Sequence, residues 1–411
     1  MKKFKNLKDI CVVFSNTIDD NYVGIKFIDD EVKVYFPLGY EIPEENAECR
    51  KSIINLMKTI SIGNRLINSD SKLSMNNGKE DEIPFNSFIW IINDYLNNGL
   101  YVDKEKIYKQ NQNGKINWKK TLNTKFYISG KNAIYLNPYV EKNTLEDNII
   151  TDIHAYCVKI SVEYIGWIFG SIPVPKNNIV ENRLNYYITI LNKELFYAFD
   201  DRKKTLLINL KKILEMSGGL NKAKLRNFGT NQYEYIWEHM VNSVFGNEDV
   251  SKFFPNSRYH LLKNKEPIEA SSLRPDSIFT IDKDIYILDS KYYRYGITGN
   301  PLHLPNTDSV QKQIMYGKHV ETKDNYQKIF NAFVLPYNKY NNSLNLSNTI
   351  EYVGYAESSW KRQSSNKYYE HVAVILLDTK YFIDCFTKNE NANIDKMIAS
   401  IQNVMSTFNE M

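Results

Sequence analysis

Cysteine is scarce in this chain, and the few cysteines are widely separated. Cys11, Cys49, Cys157 and Cys385 form no CxxC pair. A disulfide framework is therefore not expected, and neither is a structural zinc site. The sequence also lacks a Walker A pattern, so we do not expect the chain to hydrolyse a nucleotide by itself.

Long hydrophobic runs are also missing. The most apolar segments, residues 164–175 and 372–377, are far shorter than the roughly 20 apolar residues that span a membrane. The basic residues 1–5 resemble the start of a signal peptide, but Lys8 and Asp9 interrupt the chain before an apolar stretch of useful length develops. We therefore expect no signal peptide, no membrane contact and a cytoplasmic location.

The chain also has no large excess of positive or negative charge. The 52 Lys and Arg side chains nearly balance the 48 Asp and Glu side chains, and the net charge of +4 is too small to indicate a nucleic-acid partner. Hydrophobic residues make up 43% and charged residues 24% of the chain, which excludes wholesale disorder, collagen and coiled-coil arrays. The aromatic content of 13% is unusual, but it is typical of an AT-rich genome and supports no functional conclusion.

The length of 411 residues predicts two or three domains. Near the amino terminus, alternating apolar runs on both sides of Asp29-Asp30 predict a β hairpin, and residues 44–61 predict a helix. The polar segment 67–84 then predicts a linker. Residues 1–80 are therefore predicted to form a small N-terminal region.

A second boundary is predicted near residue 225, because a Ser-Gly-Gly sequence ends the helical pattern before it. It divides the rest of the chain into residues 81–225 and residues 226–411. Within the middle region, residues 146–169 and 182–216 have apolar positions at helical spacing and predict two long packing helices.

The first part of the middle region has the element order of a winged helix. A helical pattern over residues 88–96 is followed by the short basic segment 116–121 and by two β runs on either side of residues 129–132. In a winged helix the second helix lies in a DNA groove. The candidate DNA contacts in and beside the basic segment are Lys115, Asn117, Trp118, Lys119 and Lys120. The alternative is that these lysines only form a solvated face on a connector.

Residues 273–291 carry the candidate chemistry. Two β-rich runs flank Asp282-Lys283, which predicts an antiparallel hairpin with a two-residue loop. The numbers of paired residues then sum to 565, so Asp276 faces Asp289, with Cβ atoms roughly 4.5 to 5.5 Å apart. A strand period of two puts Lys291 on the same side of the sheet. Two carboxylates and one ammonium group are thus predicted to converge.

This convergence has an electrostatic cost, because two close carboxylates repel and one pKa rises unless a cation lies between them. Mg²⁺ suits the position, since it binds one or two carboxylates together with waters and phosphate oxygens. Lys291 could orient or deprotonate the attacking water, or stabilise the phosphate in the transition state. The alternative is an exposed salt bridge worth at most about 1 kcal/mol. Ile285, Ile287 and Leu288 argue against it, because they predict a strand that is buried on both faces.

The sequence Pro275-Asp276, followed after 12 residues by Asp289-Ser290-Lys291, resembles the signature of the PD-(D/E)XK nucleases in its Asp-x-Lys form. The resemblance implies that the two aspartates and the main-chain carbonyl of Ser290 bind the metal. It also implies a C-terminal nuclease core in which a mixed sheet is flanked by helices.

The superfamily places an acidic helix before the hairpin, and the apolar pattern from Tyr233 to Phe245 predicts one. Glu234 or Glu238 could face the metal from this helix, and Glu238 is the predicted match. A helix after the hairpin carries Gln313 and Tyr316, candidates for positioning the phosphate or the lysine, and Tyr316 is also a candidate DNA contact. The remaining predicted elements are strands at 329–336, 350–356 and 371–377 and a closing helix at 394–408.

Further motifs resemble the LlaJI family of restriction endonucleases. They are GKINWKKT from Gly114, LRPD from Leu273, ILDSKYY from Ile287, AFVLP from Ala332 and VGYA from Val353. The resemblance covers roughly residues 85–390 and departs at Ser290, where such motifs more often carry alanine. Function is little affected by this departure, because the side chain is predicted to face away from the metal.

The family resemblance implies a Mg²⁺-dependent, type II-like restriction endonuclease that hydrolyses DNA phosphodiester bonds at a specific site. The implied fold is a multidomain α/β (α+β) chain whose nuclease core follows a winged-helix-like and helical region. The implied partners are double-stranded DNA, a DNA methyltransferase of the same system, an McrB-type GTPase subunit as in some relatives, and a second copy in a homodimer. Two alternatives stay open, namely a non-catalytic sequence-specific DNA-binding protein and the same nuclease chemistry in repair or RNA processing.

Overall fold

The structure of the chain is a computed structural model. It describes residues 6–14, 21–28, 31–69, 84–110, 114–146, 149–219, 227–263, 266–323, 325–360, 367–390 and 392–409. Two compact units are present, Asp81–Asn221 and the combination of Phe4–Glu80 with Lys222–Met411. Residues 70–83, which hold most of the predicted linker, and the predicted boundary near residue 225 lie outside the described residues.

The helices and strands are numbered in chain order. The helices are α1 (Asn46–Ser69), α2 (Phe85–Asn98), α3 (Trp118–Thr121), α4 (Ile149–Phe169), α5 (Leu184–Tyr197), α6 (Asp201–Gly219), α7 (Tyr233–Phe245), α8 (Tyr295–Thr298), α9 (Thr307–Glu321), α10 (Thr379–Lys388) and α11 (Ile394–Asn409). The strands are β1 (Cys11–Val13), β2 (Val23–Ile28), β3 (Glu31–Phe36), β4 (Asp103–Gln110), β5 (Lys115–Ile116), β6 (Tyr127–Ser129), β7 (Asn132–Ile134), β8 (Tyr139–Glu146), β9 (Asn227–Thr230), β10 (Arg258–Tyr259), β11 (Ile268–Glu269), β12 (Ser277–Ile281), β13 (Asp284–Ser290), β14 (Lys328–Tyr337), β15 (Ile350–Ala356) and β16 (Val372–Asp378). Among the helices described, none combines the length and the apolar character needed to cross a membrane.

The second unit is built around a five-stranded mixed sheet with the order β12-β13-β14-β16-β15. The three central strands are parallel, and each edge strand is antiparallel to its neighbour. The central strands are nearly continuous apolar runs because both of their faces are buried. The predicted strands 329–336, 350–356 and 371–377 are confirmed within one residue at each end.

Helices α9 and α11 pack on opposite faces of this sheet. The core shared with α9 contains Ile278, Ile285, Ile287, Ile329, Tyr316 and Val320. Strand side chains alternate between faces, and on the other face the rings of Phe279 and Tyr286 stack with centroids 4.6 Å apart. Gln402 of α11 donates a 2.8 Å hydrogen bond to the Tyr286 hydroxyl. The hairpin β12-β13 is therefore held rigidly from both sides.

The predicted N-terminal hairpin is confirmed and belongs to a second sheet, with the order β1-β3-β2-β9. Strands β2 and β3 are antiparallel, with Ile28 opposite Glu31. Strand β9 continues the sheet by pairing with β2, so residues 227–230 lie beside the N-terminal hairpin. Residues 4–80 therefore share one compact unit with residues 222–411.

The first unit combines helices α2, α4, α5 and α6 with a three-stranded antiparallel sheet of order β4-β8-β5. The predicted short basic helix and the hairpin after it are present as α3 and β6-β7. The basic helix has only four residues, and strands β4 and β8 were not predicted. The winged-helix arrangement itself stays a prediction.

The single long helix predicted over residues 182–216 is wrong. Two helices, α5 and α6, cover this segment, and Ala198 between them is extended, with a ψ of 126°. The side chain of Asp200 accepts a 2.7 Å hydrogen bond from the N–H of Lys203. An aspartate in this position favours a new helix start, because its oxygen binds an N–H group that the first helical turn leaves unpaired.

Candidate active site

The β12-β13 hairpin, called the acidic hairpin below, pairs in the predicted register. Ser277 lies opposite Leu288, and the sum of 565 holds for every pair along β12. Continuing this register by one pair brings Asp276 opposite Asp289, at the end of the hairpin away from its turn. The sheet thus provides the geometry that the sequence predicts for two facing carboxylates.

Asp289 lies near the end of β13 and is almost fully buried, with 2% of its side chain exposed. Its Oδ2 lies 2.5 Å from Nζ of Lys291 in an ion pair. Apart from this contact, neither oxygen of the carboxylate accepts a hydrogen bond from the described residues. A buried carboxylate with so few donors is costly. The ion pair with Lys291 is therefore the main described interaction that offsets the cost of burying the Asp289 charge.

Lys291 follows the last residue of β13, and 16% of its side chain is exposed. Burial lowers the pKa of Lys291, but the attraction of the Asp289 carboxylate outweighs burial and the net pKa is raised. Its main-chain N–H donates a 2.9 Å hydrogen bond to the carbonyl of Val334, which extends the parallel pairing of β13 with β14. Lys291 therefore presents a charged ammonium group from a fixed main chain.

Asp276 is partly buried just before β12. Its Oδ2 accepts a 2.7 Å hydrogen bond from the main-chain N–H of Ser290. Burial and the charges of Asp289 and Glu238 raise the pKa of Asp276 well above its ordinary range. Ser290 and Lys291 act in the opposite direction without reversing the shift. Three carboxyl groups thus interact at one end of the acidic hairpin.

Helix α7 has the predicted bounds and carries Glu238 to the site. Burial raises the pKa of Glu238, and the charge of Asp289 raises it further. The adjacent Trp237 is fully buried, and its indole N–H donates a 3.3 Å hydrogen bond to the carbonyl of Val334. Glu234, the other glutamate considered, is exposed, whereas Glu238 is partly buried. This difference favours Glu238 as the third acid of the site.

Gln313 and Tyr316 lie on α9 and hold the main chain around the acidic pair. Nε2 of Gln313 donates a 2.8 Å hydrogen bond to the carbonyl of Ile287, while its buried Oε1 accepts none from the described residues. The Tyr316 hydroxyl donates a 2.5 Å hydrogen bond to the carbonyl of Arg274. Burial and the nearby carboxylates raise the pKa of Tyr316. Roles of these two side chains toward phosphate or DNA stay predictions.

Sequence reasoning missed Lys312, a partly buried residue of α9. Its Nζ lies 5.7 Å from the ring centroid of Tyr316. Burial raises the pKa of Glu238, and Lys312 is one of two lysines whose charges oppose that rise. The sequence does contain one indication of its position. Lys312 and Tyr316 are four residues apart, which puts both side chains on the same face of a helix.

The donor set fits Mg²⁺ better than a metal with an all-protein shell. In the described ranges, no three His, Cys, Asp or Glu side chains form a group that could hold a metal ion by themselves. Mg²⁺ needs only one or two carboxylates, because it completes its shell with water and phosphate oxygens. Asp289, whose buried Oδ1 accepts no hydrogen bond from the described residues, suits such an ion. A contribution from the Ser290 carbonyl stays a prediction.

The candidate DNA contacts of the first unit lie in and beside α3. Trp118 is 57% exposed, and Lys119 and Lys120 in the same turn are exposed as well. Lys115 lies in β5 and is also exposed. Asn117 caps α3, since its Oδ1 accepts a 3.0 Å hydrogen bond from the N–H of Lys120. Asn117 thus has a structural role, and DNA binding by all five residues stays a prediction.

The chain is similar to proteins of restriction systems. The family described as LlaJI restriction endonuclease matches residues 22–357, which is most of the chain. The type II restriction enzyme BsuMI component YdjA of Bacillus subtilis (strain 168) is 26% identical over 274 residues, which are 62% of this chain and 57% of that protein. The chain therefore spans little more than half the length of this relative.

Two solved structures from Thermococcus gammatolerans are also similar. The first is a refined half-complex from a tetradecameric assembly of McrB AAA+ hexamers with bound McrC. Its matched chain is 13% identical, with 90% of this chain and 81% of that chain covered and a TM-score of 0.34. The cryo-EM structure of the McrBC complex is 14% identical, with 56% and 69% covered and a TM-score of 0.20. TM-scores this low do not establish a shared fold.

Proposed function

Because the chain belongs to the LlaJI restriction endonuclease family, we propose that it is a Mg²⁺-dependent, type II-like restriction endonuclease. It hydrolyses phosphodiester bonds of double-stranded DNA at a specific site. The observation that carries this assignment is the convergence of Asp276, Asp289 and Lys291 at one end of the acidic hairpin. In this proposal, the sheet with α7 and α9 is a nuclease core of the PD-(D/E)XK type.

Asp276 and Asp289 would hold the ion, together with the main-chain carbonyl of Ser290. When bound, Mg²⁺ supplies positive charge to the scissile phosphate and lowers the pKa of a bound water. Glu238 lies within electrostatic reach of both aspartates and would help to orient the attacking water. Gln313 would keep β13 in place through the carbonyl of Ile287, two residues before Asp289.

Lys291 would act through its charge. Its ammonium group already lies 2.5 Å from Asp289. A DNA phosphate held beside Asp276 and Asp289 would therefore lie close to this ammonium group. An ammonium group there can orient the attacking water and stabilise the charge that develops on the phosphate in the transition state. Lys312 would add a second positive charge on the side of Glu238.

Cleavage of a mixture of unmethylated plasmid and phage DNA tests the assignment. Wild-type protein with Mg²⁺, assayed alone and together with an McrB-type GTPase and GTP, should produce fragments of fixed length in at least one of these two conditions, and chelation of Mg²⁺ should abolish them. Asp289→Asn and Lys291→Ala should each reduce the rate by about a thousandfold or more, because each removes a charge from the transition state. Asp284→Asn, at the turn end of the same strand, is the matched control and should cut at the wild-type rate.

Wild-type cutting by either site variant would overturn the assignment. Retention of intact DNA with and without Mg²⁺, also in the presence of the GTPase and GTP, would instead support the alternative of a non-catalytic DNA-binding protein. DNA cleavage without fixed fragments would favour a role in repair over restriction.

DNA binding is proposed for the surface around α3. Residues 114–138 contain five lysines and no Asp or Glu, and such a segment attracts the phosphate backbone. In this proposal Lys115, Lys119 and Lys120 contact phosphates and Trp118 packs against the DNA, with α3 and the β6-β7 hairpin as parts of a winged helix.

Partner subunits are a further part of the proposal. The relative from Bacillus subtilis is named as a component of a restriction enzyme, and we extend this to the present chain, which would act together with at least one other protein. An McrB-type GTPase is the candidate subunit, a DNA methyltransferase of the same system would protect the host sites, and the nuclease would cut both strands as a homodimer. Cleavage that appears only when the GTPase and GTP are added would support this arrangement.

A further inference from the structure

Tyr292, directly after Lys291, is hydrogen-bonded to the N-terminal region. Its hydroxyl accepts a 2.6 Å hydrogen bond from the main-chain N–H of Leu38. The carbonyl of Leu38 in turn accepts a 2.8 Å hydrogen bond from Oγ1 of Thr379, at the start of α10. Both main-chain groups of Leu38 are therefore bound by side chains that lie just beyond the ends of β13 and β16 in the five-stranded sheet.

The turn that presents Leu38 is built tightly against the sheet. The N–H of Tyr40 donates a 3.1 Å hydrogen bond to the carbonyl of Pro37, which closes a four-residue turn. Gly39 has a φ of 76°, and a Cβ atom there would lie 2.9 Å from Oγ1 of Thr379. Only glycine meets both conditions. The position of the Leu38 N–H group is thus fixed by local geometry.

The ring of Tyr292 is also held in place. It is 6% exposed. Its centroid lies 6.4 Å from that of Phe14 in the N-terminal region. The centroids of Tyr233 and Trp237 of α7 lie 5.4 Å and 6.1 Å away. The Tyr292 side chain therefore joins the N-terminal region to the helix that carries the third acid.

The main chain connects this buried ring to the ammonium group of Lys291. The N–H of Lys291 binds Val334, and the N–H of Tyr293 donates a 2.8 Å hydrogen bond to the carbonyl of Lys291. The second bond closes a three-residue turn centred on Tyr292. Because Lys291 and Tyr292 share this turn, contacts that fix the main chain of Tyr292 also help to fix the main chain from which the Lys291 side chain leaves the strand.

We propose that Tyr292 is a positioning residue, which uses the Leu38 turn of the N-terminal region to hold the Lys291 ammonium group against Asp289. This inference rests on the proposed function for the role of Lys291 in cleavage. It gives residues 37–40 a part in the active site, although they touch no reacting group. The N-terminal region is then needed for turnover and not only for folding.

Tyr292→Phe is the test variant, because it keeps the buried ring and removes the acceptor of the Leu38 N–H group. Tyr286→Phe is the matched control. Tyr286 lies in β13, the strand that precedes Tyr292, is 2% exposed, and accepts a side-chain hydrogen bond from Gln402 at 2.8 Å. It lies toward the turn of the acidic hairpin, so its variant loses a similar hydrogen bond away from the ammonium group.

Two measurements on the full chain separate positioning from a general loss of stability. The first is the cleavage rate at saturating DNA and Mg²⁺, with the KM for DNA measured beside it. The second is the rate at which an amine-reactive acetyl ester modifies Lys291 without DNA or Mg²⁺, followed by mass spectrometry and normalised to exposed lysines. The second measurement needs no nuclease activity, so it tests the inference even if the proposed function fails.

Tyr292→Phe should lower turnover about tenfold or more at unchanged KM, and Lys291 should be acetylated several times faster than in the wild type. Tyr286→Phe should match the wild type in both measurements. Equal acetylation of Lys291 in the two variants would overturn the inference, whatever the cleavage rates. Faster acetylation with unchanged turnover in an active enzyme would also overturn it, because the position of Lys291 would then not matter for cleavage.

Discussion

The main-chain N–H of Ser290 and Oδ2 of Asp276 are joined by a 2.7 Å hydrogen bond across the open end of the acidic hairpin. A neutral donor, and not a cation, is therefore the direct described partner of Asp276. Asp289, opposite it, has the ion pair with Lys291. The two carboxylates thus face each other, and the charge of Glu238 acts on Asp276 as well. The ion pair of Lys291 with Asp289 compensates only part of this negative charge, so a divalent cation that binds there would reduce the repulsion between the acids.

Mg²⁺ should raise the unfolding temperature of the wild-type protein and not that of Asp276→Asn. The asparagine keeps an acceptor for the Ser290 N–H group but removes one charge that holds the ion. A ligand at about 100 times its Kd stabilises the folded state by about 2.7 kcal/mol. Scanning fluorimetry over a Mg²⁺ titration measures the shift. Asp284→Asn should respond as the wild type does, and an equal Mg²⁺ response in Asp276→Asn would contradict the assignment of Asp276 as a ligand.

Without divalent cations, Asp276→Asn should be more stable than the wild type at about pH 8. Burial and the charges of Asp289 and Glu238 raise the pKa of Asp276, so the folded state binds this proton more tightly than the unfolded chain does. This carboxyl group therefore destabilises the folded protein as the pH rises. The gain should be about 1 to 3 kcal/mol at high pH and should vanish below about pH 4, where the unfolded chain is protonated too. Urea midpoints in a chelator at several pH values measure it, and a gain that grows toward low pH would contradict the sign.

Lys312→Gln should slow cleavage about fivefold without abolishing it. The substitution removes a charge that acts on Glu238, and one partly screened charge is worth about 1 kcal/mol. Single-turnover rates at saturating Mg²⁺ measure the effect. The control is Lys318→Gln, at an exposed lysine on the same helix, and it should leave the rate unchanged. Equal rates for the two variants would show that Lys312 has no part in cleavage.

The acidic hairpin could be predicted in detail because every step is local. A two-residue loop and a strand period of two fix which residues face each other, and these rules bring Asp276 opposite Asp289 without knowledge of the rest of the fold. Helix α7 could be predicted for the same reason, since its apolar positions recur at helical spacing. The small net charge gave no such information, because the five lysines of residues 114–138 and the clustered acids cancel in the total.

The contacts that join distant parts of the chain could not be predicted. Leu38 and Tyr292 are 254 positions apart, and the pairing of β9 with β2 spans a similar distance. Neither depends on a spacing that can be read from a single sequence. The partners in both pairings are selected by the packing of the whole unit. Lys312 was missed because its importance depends on the charge of Glu238 on another helix.

The first unit should lose stability as the pH falls from about 6.5 to about 4. His154 is fully buried, and its Nδ1 accepts a 3.0 Å hydrogen bond from the N–H of Tyr101. Burial lowers the pKa of His154 to about 4, so in this range the unfolded chain binds a proton that the folded state does not. Stability is then complete above about pH 6.5 and decreases by about 3 kcal/mol toward pH 4.

His154→Asn should flatten this pH dependence, because the asparagine oxygen can accept from the Tyr101 N–H but does not titrate. Urea unfolding at about pH 7.5 and about pH 5 measures the difference. His260→Asn, at an exposed histidine, should keep the wild-type dependence. The same slope in His154→Asn as in the wild type would show that another group causes the loss.

The lysines of α3 should determine the salt dependence of DNA binding. If Lys119 and Lys120 each neutralise a phosphate, their double replacement by alanine should reduce the slope of log K against log salt by about 1.8, since each duplex contact contributes about 0.9. Trp118→Ala should lower the affinity equally at every salt concentration, because packing of a ring against DNA releases no counterions. Fluorescence anisotropy with a labelled duplex measures both effects. Lys193→Ala, at an exposed lysine of α5 in the same unit, should leave the slope unchanged, and a double variant that behaves like this control would mean that the α3 lysines are only a solvated face.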